Sequence, residues 1–196
     1  MNTNQRHNTD KRVIRTKKAI RNSLFTLMET KSLDEISISE LTSAANVNRR
    51  TFYTHYRNLT DILDEIEAEL VQALTAMLDG INYNDYSNSV KALFINFNHL
   101  VSSEFDTYFH LLKMDSRGIL TSRLRNAIKV SSETLFASLP VKSQKNYNYV
   151  AAFMAGGFLA LFSEWFYSDK KIPVEEAADI VGRMSEKCIT VMKELQ

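Results

Sequence analysis

One stretch of the chain, residues 37–58, constrains its fold more than any other, and it reads SISELTSAANVNRRTFYTHYRN. The stretch begins with a capping box, in which Ser37 accepts a hydrogen bond from a backbone N–H while Glu40 reaches back to the start of the helix. Asn46 stands where this short helix must reverse, and Asn tolerates the left-handed conformation better than most residues do. The sequence therefore predicts a short capped helix that ends in a tight turn.

A second helix that is rich in hydrogen-bond donors follows the turn. Asn48 can cap it by accepting a hydrogen bond from the backbone near Thr51. Phe52 and Tyr56 are four residues apart and are expected to face inward together. The remaining side chains of the helix are cations and donors: Arg49, Arg50, Thr51, Tyr53, Thr54 and His55. Two short helices joined by a tight turn, the second rich in donors, are what reading of the DNA major groove requires.

The distribution of charge supports this interpretation. Residues 1–60 carry 11 Lys and Arg against five Asp and Glu, a net charge of +6, while the other 136 residues carry 13 against 18, a net charge of −5. A basic end on an acidic body favours oriented binding to nucleic acid. The alternative is that the basic residues only solvate a helical surface.

Between about Thr16 and Leu63 the sequence resembles the tetracycline-repressor (TetR) family of bacterial transcription regulators. Family members typically run from a capped short helix through Ala-Gly-Val into Ser-x-Gly-Thr-Leu/Phe-Tyr-x-Tyr-Phe, and residues 45–56 here read ANVNRRTFYTHY. Asn46 and Arg50 each replace a Gly of this pattern, and His55 stands where a phosphate-contacting Tyr is common. Leu59 stands where a Lys often begins the fourth helix, which removes one phosphate contact.

The resemblance implies an all-α fold of about nine helices in two domains. Residues 1–58 would form a three-helix DNA-binding helix-turn-helix domain, and residues 59–196 a helical effector-binding and dimerisation domain. Only five Gly, two Pro and no repeated strand pattern independently favour an all-α chain.

The function implied is that of a ligand-responsive homodimeric regulator, most often a repressor, which a small-molecule effector releases from a palindromic operator. The alternative is a TetR-like co-activator or DNA-bound scaffold whose effector is another protein. No nucleophile, acid–base pair or Gly-rich strand–helix turn argues for an enzyme, and no cofactor is expected.

The DNA contacts divide into two groups. The residues expected to hold phosphates are Thr16, Lys17, Ser37, Tyr53, His55 and Arg57. Thr16 and Lys17 are included because the first helix of the family touches the DNA backbone there. The residues expected to read bases are Arg49, Arg50, Thr51 and Thr54.

Helical periodicity predicts the remaining elements. We expect a disordered arm over residues 1–10, either a plain tail or one that reaches DNA through Arg6. The predicted helices cover residues 11–30, 59–78, 90–101, 105–114 and 119–139, with the clearest loop at residues 80–89. The helix over residues 59–78 would link the DNA-binding helices mechanically to the rest of the effector-binding domain.

The last two helices are predicted to pair. Residues 149–162 carry no charged side chain, yet this run is too short to span a bilayer, so we expect a buried central helix packed through Gly156 and Gly157. The final helix has an apolar seam with spacings of three and four, the residues being Val174, Ala177, Val181, Met184, Cys188 and Val191. In the family these helices form a four-helix bundle across a two-fold axis. Alternatively, the apolar run at residues 149–162 and the seam of the final helix pack only within one subunit.

Aromatic residues in the C-terminal part of the chain are the candidates for an effector pocket. The aromatic candidates are Phe97, Phe105, Tyr108, Phe136, Phe153 and Trp165, although such residues are more often simple core. His99, His110 and Cys188 form no tight cluster, so no metal site is predicted. One cysteine and a polar N-terminus without a signal core favour a cytoplasmic protein with no membrane association.

Overall fold

The computed structural model describes residues 3–103, 108, 111, 112, 118–137, 147–168 and 171–194, with side chains from residue 11 onward except that of residue 193. Within these ranges all regular structure is helical, which confirms the predicted all-α fold. The α-helices are α1 (Thr3–Met28), α2 (Ile38–Ala44), α3 (Arg49–Tyr53), α4 (Thr60–Leu78), α5 (Tyr86–Ser103), α6 (Ile119–Ala137), α7 (Tyr147–Tyr167) and α8 (Val174–Glu194). Two short 3-10 helices lie at Leu33–Glu35 and Tyr83–Asp85.

The described residues divide into two compact units. The N-terminal unit comprises residues 3–68 and the described part of residues 104–114. In it α1 packs against α2, and α2 against α3. Its core contains fully buried apolar side chains from α1, α2, α3 and α4: Ile20, Leu24, Leu41, Phe52, Ile62 and Ile66.

The C-terminal unit comprises residues 69–103 and the described part of residues 115–196. In it α5 packs against α8, α6 against α7, and α7 against α8. An aromatic cluster fills the centre: the ring centroid of Phe162 lies 5.5 Å from that of Phe94 and 4.7 Å from that of Phe97. Helix α4 contributes residues 60–68 to the first unit and residues 69–78 to the second. The functional division expected at residues 58 and 59 remains a prediction.

Several element bounds differ from the sequence-based expectations. Helix α1 begins at Thr3, so the expected disordered arm is helical from that residue; no Gly or Pro interrupts residues 3–28. The loop predicted over residues 80–89 is shorter, because α5 already begins at Tyr86. The helix predicted over residues 105–114 and the turn after it fall mostly outside the described residues.

Helix α7 was predicted to be buried on all sides, and this was wrong. Its 21 residues are long and apolar enough to cross a bilayer by length and composition alone, but 44% of the most apolar window is buried within the protein. Tyr149 and Phe153 are 72% and 66% exposed. A Cβ added to Gly156 or Gly157 would meet nothing within 4 Å, so these glycines are not close-packing positions within the protomer.

Candidate nucleic-acid interface and effector cavity

The turn between α2 and α3 has the predicted geometry. The Ser37 hydroxyl accepts a hydrogen bond from the Glu40 N–H at 3.1 Å and caps α2. At the other end Asn46 has a positive φ of 51°. The N–H of Val47 donates to the Thr42 carbonyl at 2.9 Å, which closes a Schellman motif. These local bonds fix the direction in which the chain enters α3.

Two details of the capping differ from the prediction. The carboxylate of Glu40 does not return to the start of α2, because it forms an ion pair with Lys31. A capping box is instead formed at the 3-10 helix Leu33–Glu35, where a Glu35 carboxylate oxygen accepts a hydrogen bond from the backbone N–H of Ser32 at 2.9 Å. Asn48 caps α3 as expected, but its donor is the N–H of Arg50, at 2.8 Å.

Helix α3 buries one side and exposes the other. Phe52 is fully buried and Tyr56 is 3% exposed, as the spacing of four predicts. Arg49, Arg50 and Tyr53 are exposed on the helix. The Arg49 guanidinium lies 5.7 Å from the centroid of the Tyr53 ring, and its Nη2 donates to the Tyr53 hydroxyl at 3.3 Å. The two side chains therefore support each other on the outer surface.

The remaining candidate DNA contacts lie on or near this surface. Thr51 is half-buried, and its carbonyl accepts a hydrogen bond from the Thr54 hydroxyl at 2.6 Å. Helix α3 ends at Tyr53, so half-buried His55 lies in the following turn rather than on the predicted longer helix. Arg57 is largely exposed, and its Nε donates to Asp61 at 3.0 Å.

A polar cluster that sequence reasoning missed lies behind the reading helix. Lys17 and Arg21 of α1 both form ion pairs with Glu65 of α4, and the Tyr56 hydroxyl donates to the same carboxylate. Burial opposes ionisation of this carboxyl, but hydrogen bonds from its three donors outweigh that effect and lower the pKa of Glu65 to about 2. Burial, together with the contact to Glu65, raises the pKa of Tyr56 well above its usual range. The expected phosphate contact Lys17 is thus already engaged, while Thr16 beside it is half-buried.

The C-terminal unit contains a partly open cavity of about 490 Å³. It lies among the end of α4, the start of α5, and helices α6, α7 and α8. Much of its wall is apolar, including Leu78, Val90, Leu93, Ile128, Met154 and Phe158. Its polar groups include Asp79, Tyr86, Asn126, Ser131, Ser132 and Ser185. This volume lies within the range typical of small-molecule sites, ~300–1,000 Å³.

The aromatic residues predicted for the effector site do not line this cavity. Phe97, Phe136 and Trp165 are buried in the packed core. Tyr108 is also buried, but it belongs to the N-terminal unit. Phe105 lies outside the described residues. Sequence pattern could not separate core aromatics from pocket aromatics, since both occur at helical spacing.

Phe153, the sixth candidate, lies on an exposed apolar face formed by α7 and α8. Its neighbours there are Tyr149 and Val150 of α7, and Met184, Cys188 and Val191 of α8. We call these five residues, together with Phe153, the α7–α8 face, and Lys187 lies beside them. Burial raises the pKa of the Cys188 thiol, so the thiol stays protonated at neutral pH.

The predicted seam of α8 is divided between two surfaces. Ala177 and Val181 are buried within the protomer, whereas Met184 and Val191 are 55% and 48% exposed and Val174 is half-buried. A strict heptad drifts by about 20° per repeat on a straight helix, so the later seam residues turn from the border of the buried side onto the exposed side. The buried side packs closely against α5: a Cβ on Gly182 would lie 2.7 Å from the Ser87 carbonyl oxygen.

These features together define an all-α helix-turn-helix protein with a separate helical unit that contains a cavity. The family model described as "Transcriptional regulator C-terminal region" (TetR_C_8) matches residues 88–187, just over half of the chain. The chain belongs to the TetR family of DNA-binding transcription regulators.

A curated relative and several solved structures are similar. YxbF, an uncharacterized HTH-type transcriptional regulator of Bacillus subtilis (strain 168), is 37% identical over 71 residues, which are 34% of this chain and 19% of that relative. NalD, the secondary repressor of the MexAB-OprM multidrug efflux pump in Pseudomonas aeruginosa, gives a TM-score of 0.65 at 17% identity, with 88% of this chain and 96% of NalD covered. A TetR regulator from Streptococcus agalactiae 2603V gives 0.61 at 20% identity, with 90% and 97% covered.

Thermus thermophilus FadR, a TetR-family repressor solved in complex with lauroyl-CoA, gives a TM-score of 0.54 at 15% identity, with 88% of this chain and 94% of FadR covered. At such identities these likenesses show the fold. The chain spans about a fifth of the length of the curated relative.

Proposed function

We propose that this chain is a homodimeric repressor that binds a two-fold symmetric operator and is released from it by a small molecule. The observation that carries the proposal is the exposed face of α3, where Arg49, Arg50 and Tyr53 lie opposite buried Phe52. A helix of this kind, held by a Schellman turn, suits insertion into the major groove. The protein would act inside the cell, where its DNA is.

Dimerisation is supported by the α7–α8 face. A monomer that exposed Tyr149, Phe153 and Met184 together would leave a contiguous apolar patch in water. Covering it with the same face of a second copy gives the self-complementary interface that two-fold symmetry requires. The two recognition helices would then meet half-sites one helical turn apart, ~34–36 Å, or a multiple of it.

Control by a ligand is supported by the cavity and by α4. The last turn of α4 and the residues after it, including Thr75, Leu78 and Asp79, line the cavity, and the same helix begins three residues after Arg57. A ligand changes DNA affinity only as far as it prefers one arrangement of this helix over another. A coupling of about 1–3 kcal/mol would change affinity roughly 5–150-fold, and by linkage operator DNA must weaken ligand binding by the same factor.

The test begins with selection of bound duplexes from a randomised library, followed by titration of the selected operator. We expect a motif with two-fold symmetry. Arg50→Ala should relax preference at particular base pairs by about 1–3 kcal/mol, as loss of a bidentate guanine contact does. Arg57→Ala is the matched control: it should weaken all sequences similarly and lower the salt slope by roughly one.

Two results would count against the proposal. If the selection enriches no symmetric motif, the proposal that the protein binds a two-fold symmetric operator is wrong. Full base preference in the Arg50→Ala protein would show that Arg50 does not read bases. A TetR-like co-activator or scaffold, the second candidate, would instead bind a protein partner and leave the cavity unused. No contact in the described residues favours it.

A further inference from the structure

We infer that the cavity binds a cationic amphiphile. Its apolar body would pack against the wall formed by α5, α6 and α7, and its positive group would lie beside Asp79. This inference deepens the proposed function and rests on it, because it names the chemical class of the effector.

The charge of the lining points to a cation. Asp79 is the one formally charged side chain among the described residues that line the cavity. It is exposed, which places it at the open side, where a charged group of the ligand would keep part of its hydration. Two basic residues on the lining helices are already paired: Lys129 of α6 forms an ion pair with Glu133, and Lys91 of α5 forms one with Asp179.

Two helix ends also lie at the cavity. Helix α4 ends at Leu78, immediately before Asp79, so the negative end of its dipole lies at the cavity. A cation near a helix C-terminus is stabilised, whereas an anion there is destabilised. Helix α5 begins at Tyr86, which also lines the cavity, so a positive helix end lies there too, and the Asp79 carboxylate is the group that favours a cation over a fatty acid or another anionic ligand.

Deeper in the cavity the lining suits an apolar body with few polar groups. Val90, Leu93, Met154 and Phe158 are buried and apolar. Buried Ser132 and Ser185 also line the cavity, and their hydroxyls can serve one or two polar atoms of a ligand. An apolar wall with a few placed polar groups is the usual character of a small-molecule site.

Three probes that share one alkyl chain test the inference: decyltrimethylammonium, 1-decanol and decanoate, each titrated calorimetrically into the full-length protein at neutral pH and below micellar concentrations. The cation should bind about five-fold more tightly than the alcohol, and decanoate should bind most weakly. Asp79→Asn should remove the preference for the cation and leave the affinity for decanol unchanged. Asp85→Asn, an acidic residue of the next turn that does not line the cavity, is the matched control and should behave as wild type.

A second pair of variants locates the binding site. Ala127→Leu narrows the cavity and should weaken all three probes, whereas Ala137→Leu, on the same helix but outside the lining, should not. Equal affinity for the three head groups, no binding of any probe, or an unchanged cation preference in Asp79→Asn would overturn the inference.

The same protein with labelled operator DNA separates this inference from the proposed function. Decyltrimethylammonium that binds through Asp79 and lowers operator affinity supports both. If it binds through Asp79 and leaves operator affinity unchanged, the chemistry of the cavity stands and the effector-controlled repressor is refuted.

Discussion

Glu65 joins three parts of the N-terminal unit at a single side chain. Arg21 of α1 donates to its carboxylate at 2.7 Å, Lys17 pairs with the other oxygen, and the Tyr56 hydroxyl approaches from the turn after α3. Since Tyr56 follows the reading helix directly, this carboxylate helps to set the position of α3. The cluster is thus a structural support for the DNA-reading surface rather than part of that surface.

The first prediction at this scale concerns Glu65→Gln. The change removes a charged acceptor from three donors and should lower the free energy of unfolding at neutral pH by about 2 kcal/mol. Because the pKa of Glu65 is lowered from 4.5 to about 2, its contribution is complete above about pH 4.5 and disappears as the pH falls towards 2. Urea denaturation at several pH values measures both effects.

Wild type should therefore lose stability over that acid range, and Glu65→Gln should lose less. Asp64→Asn, which changes a neighbouring exposed acid on the same helix, is the control and should have a small effect. Parallel pH profiles for wild type and Glu65→Gln would show that the cluster does not stabilise the folded state.

Residue-level predictability depends on how local the interaction is. Sequence pattern identified the Ser37 cap, the reversal at Asn46 and the inward pair Phe52 and Tyr56, because each is decided within four residues. It missed Glu65, whose partner Lys17 is 48 residues away in the chain. Which acid meets which base at that separation is set by tertiary packing, and helical periodicity does not encode it.

At the scale of the element, α8 has two apolar sides with different roles. One side, with buried Ala177, Ala178 and Val181, includes the contact with α5, across which the ion pair between Lys91 and Asp179 lies. The other side belongs to the α7–α8 face. Sequence periodicity detected the helix and its strong apolar pattern, but it merged the two sides into one seam.

The prediction at this scale is that Gly182→Ala is destabilising. Its Cβ would lie 2.7 Å from both the Ser87 carbonyl oxygen and Cγ of Lys91, so α5 and α8 must separate. Overpacking of this kind costs about 1–3 kcal/mol. Gly156→Ala, where nothing lies within 4 Å of the added Cβ, is the control and should be neutral or stabilising by up to ~1 kcal/mol. Thermal unfolding compares the two, and equal melting temperatures would show that α5 and α8 accommodate the methyl group.

At the scale of the whole molecule, the α7–α8 face is the surface on which the proposed dimer depends. The sequence predicted that the last two helices pair, and the structure adds which side of each remains exposed. Phe153 was expected in an internal pocket, but it lies on this face because α7 is covered on one side only. An all-apolar helix gives no periodic signal from which its covered side could be predicted.

The corresponding prediction concerns Phe153→Glu and Met184→Glu. A carboxylate on the face should be buried without a partner in a dimer, so each variant should sediment as a monomer and lose affinity for a two-half-site operator. Ile119→Glu changes an apolar residue of α6 that is 48% exposed outside the face, and it should leave the oligomeric state unchanged. Sedimentation velocity at micromolar concentration measures the oligomeric state of wild type and of each variant. A wild-type monomer, or variants that remain dimers, would exclude this face as the interface.

The single tryptophan of the chain makes the two units optically distinguishable. Trp165 is buried in the C-terminal unit, its Nε1 donates to the Ile172 carbonyl at 3.0 Å, and its ring centroid lies 6.1 Å from that of Phe94. Emission excited selectively from tryptophan therefore comes from that unit alone, since the N-terminal unit contains none. Fluorescence will report melting of the aromatic core, while circular dichroism sums both units, and any gap between the two curves will reveal a unit that unfolds by itself.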